Sequence, residues 1–491
     1  MLLDKFEPKH VIKHLERICE IPHISNHEGE LCRYIKGVAA ENGHTYYEDE
    51  AGNLIVYVKA TAGCEDVPAF LMQAHMDMVA AKVDGSDHNF LTDSISLRLE
   101  DGRYLYADGT TLGADNAVGM MNMLALMEDK TVVHPALELL FTVCEENGLI
   151  GIRKVDFSKI SARRMINMDC GDPDVMCVST AGAAQCLVKL PVTFTEIPET
   201  AALIEINVGG LLGGHAGLMI DQGHYSAVTA MGRILHGLGS RVLYNVVYVN
   251  CSRISGIAAE MKAVVAVRDD KVQDAREAIS QAEKKIKSEY ADSEPGFFVS
   301  VREHEGSEYD QMADDRSSKK AASLLYLMPY GVIKRDWKEK ETIFFSNNAM
   351  EVSFQEVCMQ MDMMVRAPED LAKEDAVARI GALADLCGAA LTVTDSFAGW
   401  PYRSDSPLQD LCHETYFELT GEKLKVEKHN SCAETGVIAG AIPEMDIVAL
   451  APLGRGAHTP AEHLDMDTVE PFWQFLVQLL KKMCRGESVL R

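Results

Sequence analysis

Ala69-Phe-Leu-Met-Gln-Ala-His-Met-Asp77 decides how this chain is read. Its first six residues are almost wholly apolar and long enough for one strand. A strand without alternation is buried on both faces, the habit of a parallel sheet covered by helices. It then stops on His-x-Asp. In open α/β sheets ligands bind beyond the carboxyl ends of the strands, where this pair falls. Side chains alternate along a strand, so His75 and Asp77 share one side.

Working outward, residues 53–59, 137–143 and 165–168 repeat the pattern of a short apolar run bounded by turns. A helix over 117–128 separates two of them, and two helical patterns, 8–20 and 28–42, precede them all. Strands alternating with helices predict an α/β sheet. The character changes after Thr180-Ala-Gly-Ala-Ala184. Two strand–helix–strand units follow, 261–301 and 356–394, which predict a separate α+β domain with a mostly antiparallel sheet. From Gly399-Trp-Pro401 the first style returns, with an apolar strand at 446–451. The chain closes on a helix whose Val469, Phe472, Leu476, Leu479 and Met483 share a face. The expected fold class is α/β. A catalytic domain with a mixed, mostly parallel sheet is built from 1–186 and 399–491, and an inserted α+β lid domain spans 187–398.

Bulk properties narrow the functions. A chain of 491 residues exceeds one compact core. Its formal net charge of −27 argues against nucleic acid and anionic membrane as partners, since both select basic surfaces. The opening MLLDKFEPKH lacks the basic-then-apolar pattern of a signal peptide, and no run of 18 apolar residues occurs. The 13 cysteines form no CxxC pair, which fits free thiols in a reducing cytoplasm.

Further polar groups stand at the ends of the apolar runs or in neighbouring loops: Gly113-Ala-Asp115-Asn116, Cys144-Glu145-Glu146-Asn-Gly148, Asn167-Met-Asp169 and Ala457-His458-Thr-Pro460. Singly, each has an ordinary reading. Asp-Asn before a helix usually caps it, adjacent acids usually form a solvated loop, and a loop histidine usually lies at the surface. Together they offer His75, Asp115, Glu146 or Glu145, Asp169 and His458 as candidate ligands. Oxygen and imidazole donors without thiolate suit zinc, and manganese or cobalt equally by ligand type. Two such ions about 3.5–4 Å apart can polarise a carbonyl and activate a bridging water.

These motifs, in this order, resemble the metallopeptidase family of carnosinases, peptidase T and aminoacylase, and within it the aminoacyl-histidine dipeptidases. The likeness covers nearly the whole chain. It also takes in Asp49-x-x-Gly52-Asn53, Gly213-Gly-His215-x-Gly217, Gly399-Trp400 and His458-Thr-Pro-x-Glu462. The resemblance implies a two-metal hydrolase cutting dipeptides with a free amino terminus. It implies that Asp115 bridges both ions, that His75 and Asp169 complete one, and that Glu146 and His458 complete the other. It implies Glu145 as general base acting on the water, Asp77 orienting His75, and a cis peptide at Asp115–Asn116. It further implies that His215 steadies the reacting carbonyl, that Arg366 holds the substrate carboxylate, that Glu434 meets its amino end, and that the lid forms a homodimer.

The chain also departs from that family. Where Asn-Ala-Ile-Pro-Arg-Glu is usual, it has Ser255-Gly-Ile-Ala-Ala-Glu260. His-Ser-Gly becomes His215-Ala-Gly217, Gly-Leu-Glu-Cys-Gly becomes Cys432-Ala-Glu434-Thr-Gly436, and the acid before the glutamate pair becomes Cys144. The candidate ligands and Glu145 remain, so the departures bear on substrate more than on reaction. Two alternatives stay open: an amidase or deacylase of the same family acting on an N-acyl amino acid, and a metal-binding interaction protein without catalysis.

Overall fold

In the computed structural model residues 2–251, 256–304, 308–340 and 342–486 are described. They fall into two compact units. The first comprises Met1–Ser179, Trp400–Lys428 and Ala433–Arg491, and the second Thr180–Gly399 and His429–Cys432.

The first unit is organised by the strand quoted above. Phe70–His75 is buried at every residue and lies between Leu137–Thr142 and Arg164–Asn167, parallel to both. Asp446–Ala449 adds a further parallel strand beside Arg164–Asn167. The outer strands Leu54–Val58 and Thr45–Glu48 run antiparallel. The sheet is thus mixed with a parallel centre, and all its parallel strands end on the same edge. Its helices bury their apolar stripes as the periodicity predicts: Val11, Ile12, Leu15 and Ile18 on Lys9–Glu20, and Phe472, Leu476, Leu479 and Met483 on Val469–Arg485. The helix Ala114–Glu128 is buried all round, so it carries no polar face, and this places it in the core rather than at the surface. One thiol expectation changes: Cys64 and Cys484 are joined in a disulfide that ties the closing helix to the loop before Phe70.

The second unit is an antiparallel sheet with helices Ala227–Gly239, Val272–Glu289, Asp315–Leu327 and Asp370–Cys387. Its strands follow the order Val175–Pro191, Cys358–Ala367, Ile343–Phe354, Tyr244–Cys251, Met261–Arg268, Ala201–Gly209 and Phe298–Glu303. The expected boundary after residue 186 lies inside the first of these strands, which begins in one unit and continues into the other. The strands Tyr244–Cys251 and Ile343–Phe354 carry β-bulges, which break the even alternation that would mark them in sequence.

Candidate metal centre

The parallel strands and one loop of the first unit deliver its chemistry to a single edge. Phe70–His75 ends on His75, and Leu137–Thr142 runs into the turn carrying Glu145 and Glu146. Arg164–Asn167 is followed by Asp169. Asp115 stands where the buried helix begins, with non-helical backbone at 115 and 116 and a cis peptide between them. His458 comes from the loop after Asp446–Ala449.

Asp115 occupies the middle. Its Oδ1 lies 2.9 Å from His75 Nε2, and its Oδ2 lies 3.4 Å from His458 Nε2. Asp169 Oδ1 is 3.7 Å from His75 Nε2, and Glu146 Oε1 is 2.9 Å from His458 Nε2. One carboxylate therefore faces two separate donor groups, His75 with Asp169 and His458 with Glu146. Glu145 joins His75 and Glu146 in a third group whose ligand atoms lie within 4.8 Å of one another.

Buried hydrogen bonds hold these side chains. Asp77 is fully buried; its Oδ1 accepts from Glu145 N at 2.9 Å and its Oδ2 from Glu146 N at 3.2 Å and Ser25 Oγ at 2.7 Å. His75 Nδ1 meets the backbone carbonyl of Asp77 at 2.9 Å and its carboxylate Oδ1 at 3.6 Å. The carboxylate's stronger bonds clamp the turn of Glu145 and Glu146. That turn is also held from below, where Glu28 Oε1 accepts from Cys144 N at 2.9 Å and Asn53 Oδ1 from Val143 N at 3.1 Å. Asn53 in turn donates to Asp49 Oδ2 and to Gly151 O, which gives the Asp49-x-x-Gly52-Asn53 motif its structural sense. Residue 151 must be glycine, since a Cβ there would sit 1.9 Å from Val143 O.

Glu462, quoted above only as the last residue of His458-Thr-Pro-x-Glu462, is a supporting residue. Its Oε2 accepts from Leu112 N at 2.8 Å and Gly113 N at 2.9 Å, and its Oε1 from Asp115 N at 3.1 Å. It is buried, and it fixes the loop that presents Asp115. The signal was its spacing four residues after His458.

Crowding shows in the electrostatics. Burial would raise Asp115, but hydrogen bonds to His458 and His75 outweigh it and hold the carboxyl far below its ordinary range. Burial would lower His75, but its contacts with Asp115 and Asp169 raise it well above the usual imidazole value. Hydrogen bonds to Asp115 and Glu146 lift His458 to about 10. Burial, then the charge of Asp115, pushes Asp169 up to about 7. Glu145 is raised well above the ordinary carboxyl range, chiefly by burial. So many acids in one partly desolvated place favour added positive charge. The donors are imidazole nitrogen and carboxylate oxygen throughout, and their grouping around Asp115 fits a pair of divalent cations.

A family model described as peptidase family M20/M25/M40 matches residues 71–482. The chain belongs to this family. The cytosol non-specific dipeptidase of Escherichia coli (strain K12) is 30% identical to it over 488 residues, covering 98% of this chain and 99% of that one. The crystal structure of aminoacylhistidine dipeptidase from Vibrio alginolyticus superposes with a TM-score of 0.86 at 26% identity, over 98% of each chain. The aminopeptidase PepT of Bacillus cereus ATCC 10987 shares the fold, with a TM-score of 0.60 at 17% identity over 97% of this chain and 99% of that one. This M20 member is accordingly a hydrolase of the peptidase class with the family's α/β architecture.

The remaining candidates of this M20 peptidase are placed as follows. Glu434 belongs to the first unit and has no exposed surface; its Oε2 accepts from Gln73 Nε2 and, at 2.7 Å, from Thr142 Oγ1. Burial raises it to about 8. His215 and Arg366 belong to the second unit. His215 is exposed on a two-residue strand pairing with Gly256–Ile257, and its Nδ1 accepts from Leu218 N at 3.2 Å. Arg366 lies near the end of Cys358–Ala367, and its Nη1 donates to Cys432 Sγ at 2.8 Å. Its buried Nε has no hydrogen-bond partner among the described residues. Of the divergent segment 255–260, Ser255 lies outside the described residues. Among the described residues no helix is long and apolar enough to cross a membrane.

Proposed function

We propose that this M20 peptidase hydrolyses dipeptides with a free amino terminus at a site holding two divalent cations. The observation that carries the reading is the division of Asp115, one oxygen toward His75 and Asp169 and the other toward His458 and Glu146. In this reading Asp115 would be shared by both ions, His75 and Asp169 would help hold one, and Glu146 and His458 the other. Bound there, the cations, zinc by preference with manganese or cobalt also fitting the donor types, would polarise the scissile carbonyl and lower the pKa of the attacking water.

The chain's own residues then divide the work. Glu145 takes a proton from the water as its oxygen bonds to the carbonyl carbon. It returns that proton to the amine nitrogen as the C–N bond breaks. Burial raises Glu145 above the ordinary carboxyl range, the direction that suits a group taking up a proton. Asp77 keeps Glu145 in place by gripping the backbone of its turn. We assign to the second unit, as lid and homodimer surface, the donor His215 for the carbonyl oxygen and Arg366 for the substrate carboxylate. The unpartnered Nε of Arg366 supports that assignment. The name of the Escherichia coli relative supports a cytoplasmic setting. The departures at 215–217, 255–260 and 432–436 favour a substrate range shifted from Xaa-His.

The test is a dipeptide panel with and without chelator, including β-Ala-His, Gly-Gly and Cys-Gly and an N-acetylated partner for each. Cleavage of free dipeptides that chelation abolishes supports the reading, and preference for the N-acetylated forms overturns it in favour of a deacylase. Glu145→Gln is expected to keep both ions and lose about 10²–10⁴-fold in turnover. Unchanged turnover in that variant removes Glu145 as the base. Full activity on carnosine and Xaa-His peptides would refute the altered range.

A further inference from the structure

Gln73 interrupts an apolar run, Thr142 and Asn167 end their strands, and each is wholly or almost wholly buried. A buried amide or hydroxyl without a partner is costly, so such residues must satisfy one another. Strand alternation places Gln73 two residues before His75 and Asn167 two residues before Asp169, each on the same side as that residue. They form a polar layer directly beneath the proposed ligands.

The bonds in this layer run in one direction. Asn167 Oδ1 accepts from Asp169 N at 3.1 Å, and Asn167 Nδ2 donates to Gln73 Oε1 at 2.5 Å. Gln73 Nε2 donates to Glu434 Oε2 and, at 3.2 Å, to Thr142 Oγ1. Thr142 Oγ1 donates to the same Glu434 oxygen at 2.7 Å. Glu434 ends the chain, its Oε2 the shared acceptor of Gln73 and Thr142. Its other oxygen is buried and has no hydrogen-bond partner among the described residues. A carboxylate placed this way meets strands, and it presents no surface to a substrate amine.

We propose that Glu434 is a positioning residue which, through Gln73 and Asn167, sets the seat of Asp169 and His75 and thereby the affinity for one of the two cations. This role is distinct from the contact with a substrate amine expected from sequence. It rests on reading His75 and Asp169 as a ligand pair. Outer hydrogen-bond partners of metal ligands typically change metal affinity about 10–100-fold when removed.

The experiment uses the full-length protein stripped of metal, titrated with Co²⁺ followed by its visible absorption and with Mn²⁺ by calorimetry. Glu434→Leu removes the acceptor, and Gln73→Glu sets two acids against each other. Gln73→Glu combined with Glu434→Gln exchanges acid and amide, so the pair is restored with its direction reversed and position 73 still offers Asn167 an oxygen; Glu434→Gln alone keeps an accepting oxygen and completes the cycle. Glu434→Leu and Gln73→Glu are each expected to weaken one of two binding events about 10–100-fold and spare the other. The double variant is expected to return within about threefold of the original, a cycle that isolates the coupling between the two positions. Thr142→Val is the milder variant should a single charge change prevent folding, and it should weaken the same event about 3–10-fold. Unchanged binding in Glu434→Leu, Gln73→Glu and Thr142→Val, or no recovery in the double, overturns the proposal. So does a rise in KM for free but not N-acetylated dipeptides with both affinities intact. If binding behaves as expected but no dipeptide is cut, this proposal stands and the dipeptidase reading falls. A parent protein that binds fewer than two ions overturns both.

Discussion

Glu462→Ala tests whether the Asp115 loop is held by one carboxylate. The substitution removes the shared acceptor of Leu112 N, Gly113 N and Asp115 N, bonded at 2.8, 2.9 and 3.1 Å. A hydrogen bond to a charged group contributes about 1.5–3 kcal/mol, and a buried donor left unpaired costs about 1–3 kcal/mol. Three such losses would exceed 4 kcal/mol if nothing compensated. A cavity of about 100 Å³, lined by Asp115, Asp169 and Glu462 among others, adjoins the loop. It has room for water, which needs only about 10–15 Å³, so part of the loss is recovered. The net expectation is about 3 kcal/mol, or about 6–12 °C in Tm for a unit of this size. Because the loop carries Asp115, binding of both cations should weaken together. Thermal unfolding and competition with a chromogenic chelator measure the two effects. A variant melting within about 1 °C of the parent with unaltered metal affinity would refute the reasoning.

In the second unit, Glu205 is buried and accepts from Asn207, Lys262 and Arg302; burial would raise it, but those partners hold it down to about 2. Its folded value is thus below its unfolded one, so its stabilisation is complete above the ordinary carboxyl value and is lost as pH falls from about 4.5 toward 2. Arg302 is largely exposed, so after screening we expect about 1–2 kcal/mol. Glu205→Gln should flatten the acid limb of unfolding by that amount, as followed by circular dichroism between pH 6 and 2; an unaltered limb would count against it. Arg366→Met should raise KM on dipeptides about 10–100-fold, the worth of a charge-assisted pair, and leave C-amidated dipeptides nearly unaffected. Equal losses on both substrates would remove Arg366 as the carboxylate partner.

The sequence by itself determined the parallel core, the edge where its strands end, and which residues could serve as ligands. Apolar runs have the length of strands, and polar residues at their ends stand out because burial leaves few other places for them. Strand order was beyond its reach, because it depends on contacts between distant segments, as when Asp446–Ala449 pairs beside Arg164–Asn167. The bulged strands of the second unit escaped for a local reason: an extra residue shifts the alternation by one.

Only the tertiary structure decided what the acids do. Asp115 becomes a divided carboxylate because His75 and His458 arrive from segments hundreds of residues apart. Asp77 lies 3.6 Å from His75 and also clamps the Glu145 turn at 2.9 Å, a second contact that no motif encodes. Glu434 and Glu462 stand in sequence as a residue expected at the substrate's amino end and the last residue of a motif, and both are buried and hold other groups. Their burial follows from helices and loops folding over the sheet edge. A local pattern can mark a residue as polar, but its partners are fixed only when distant strands come together.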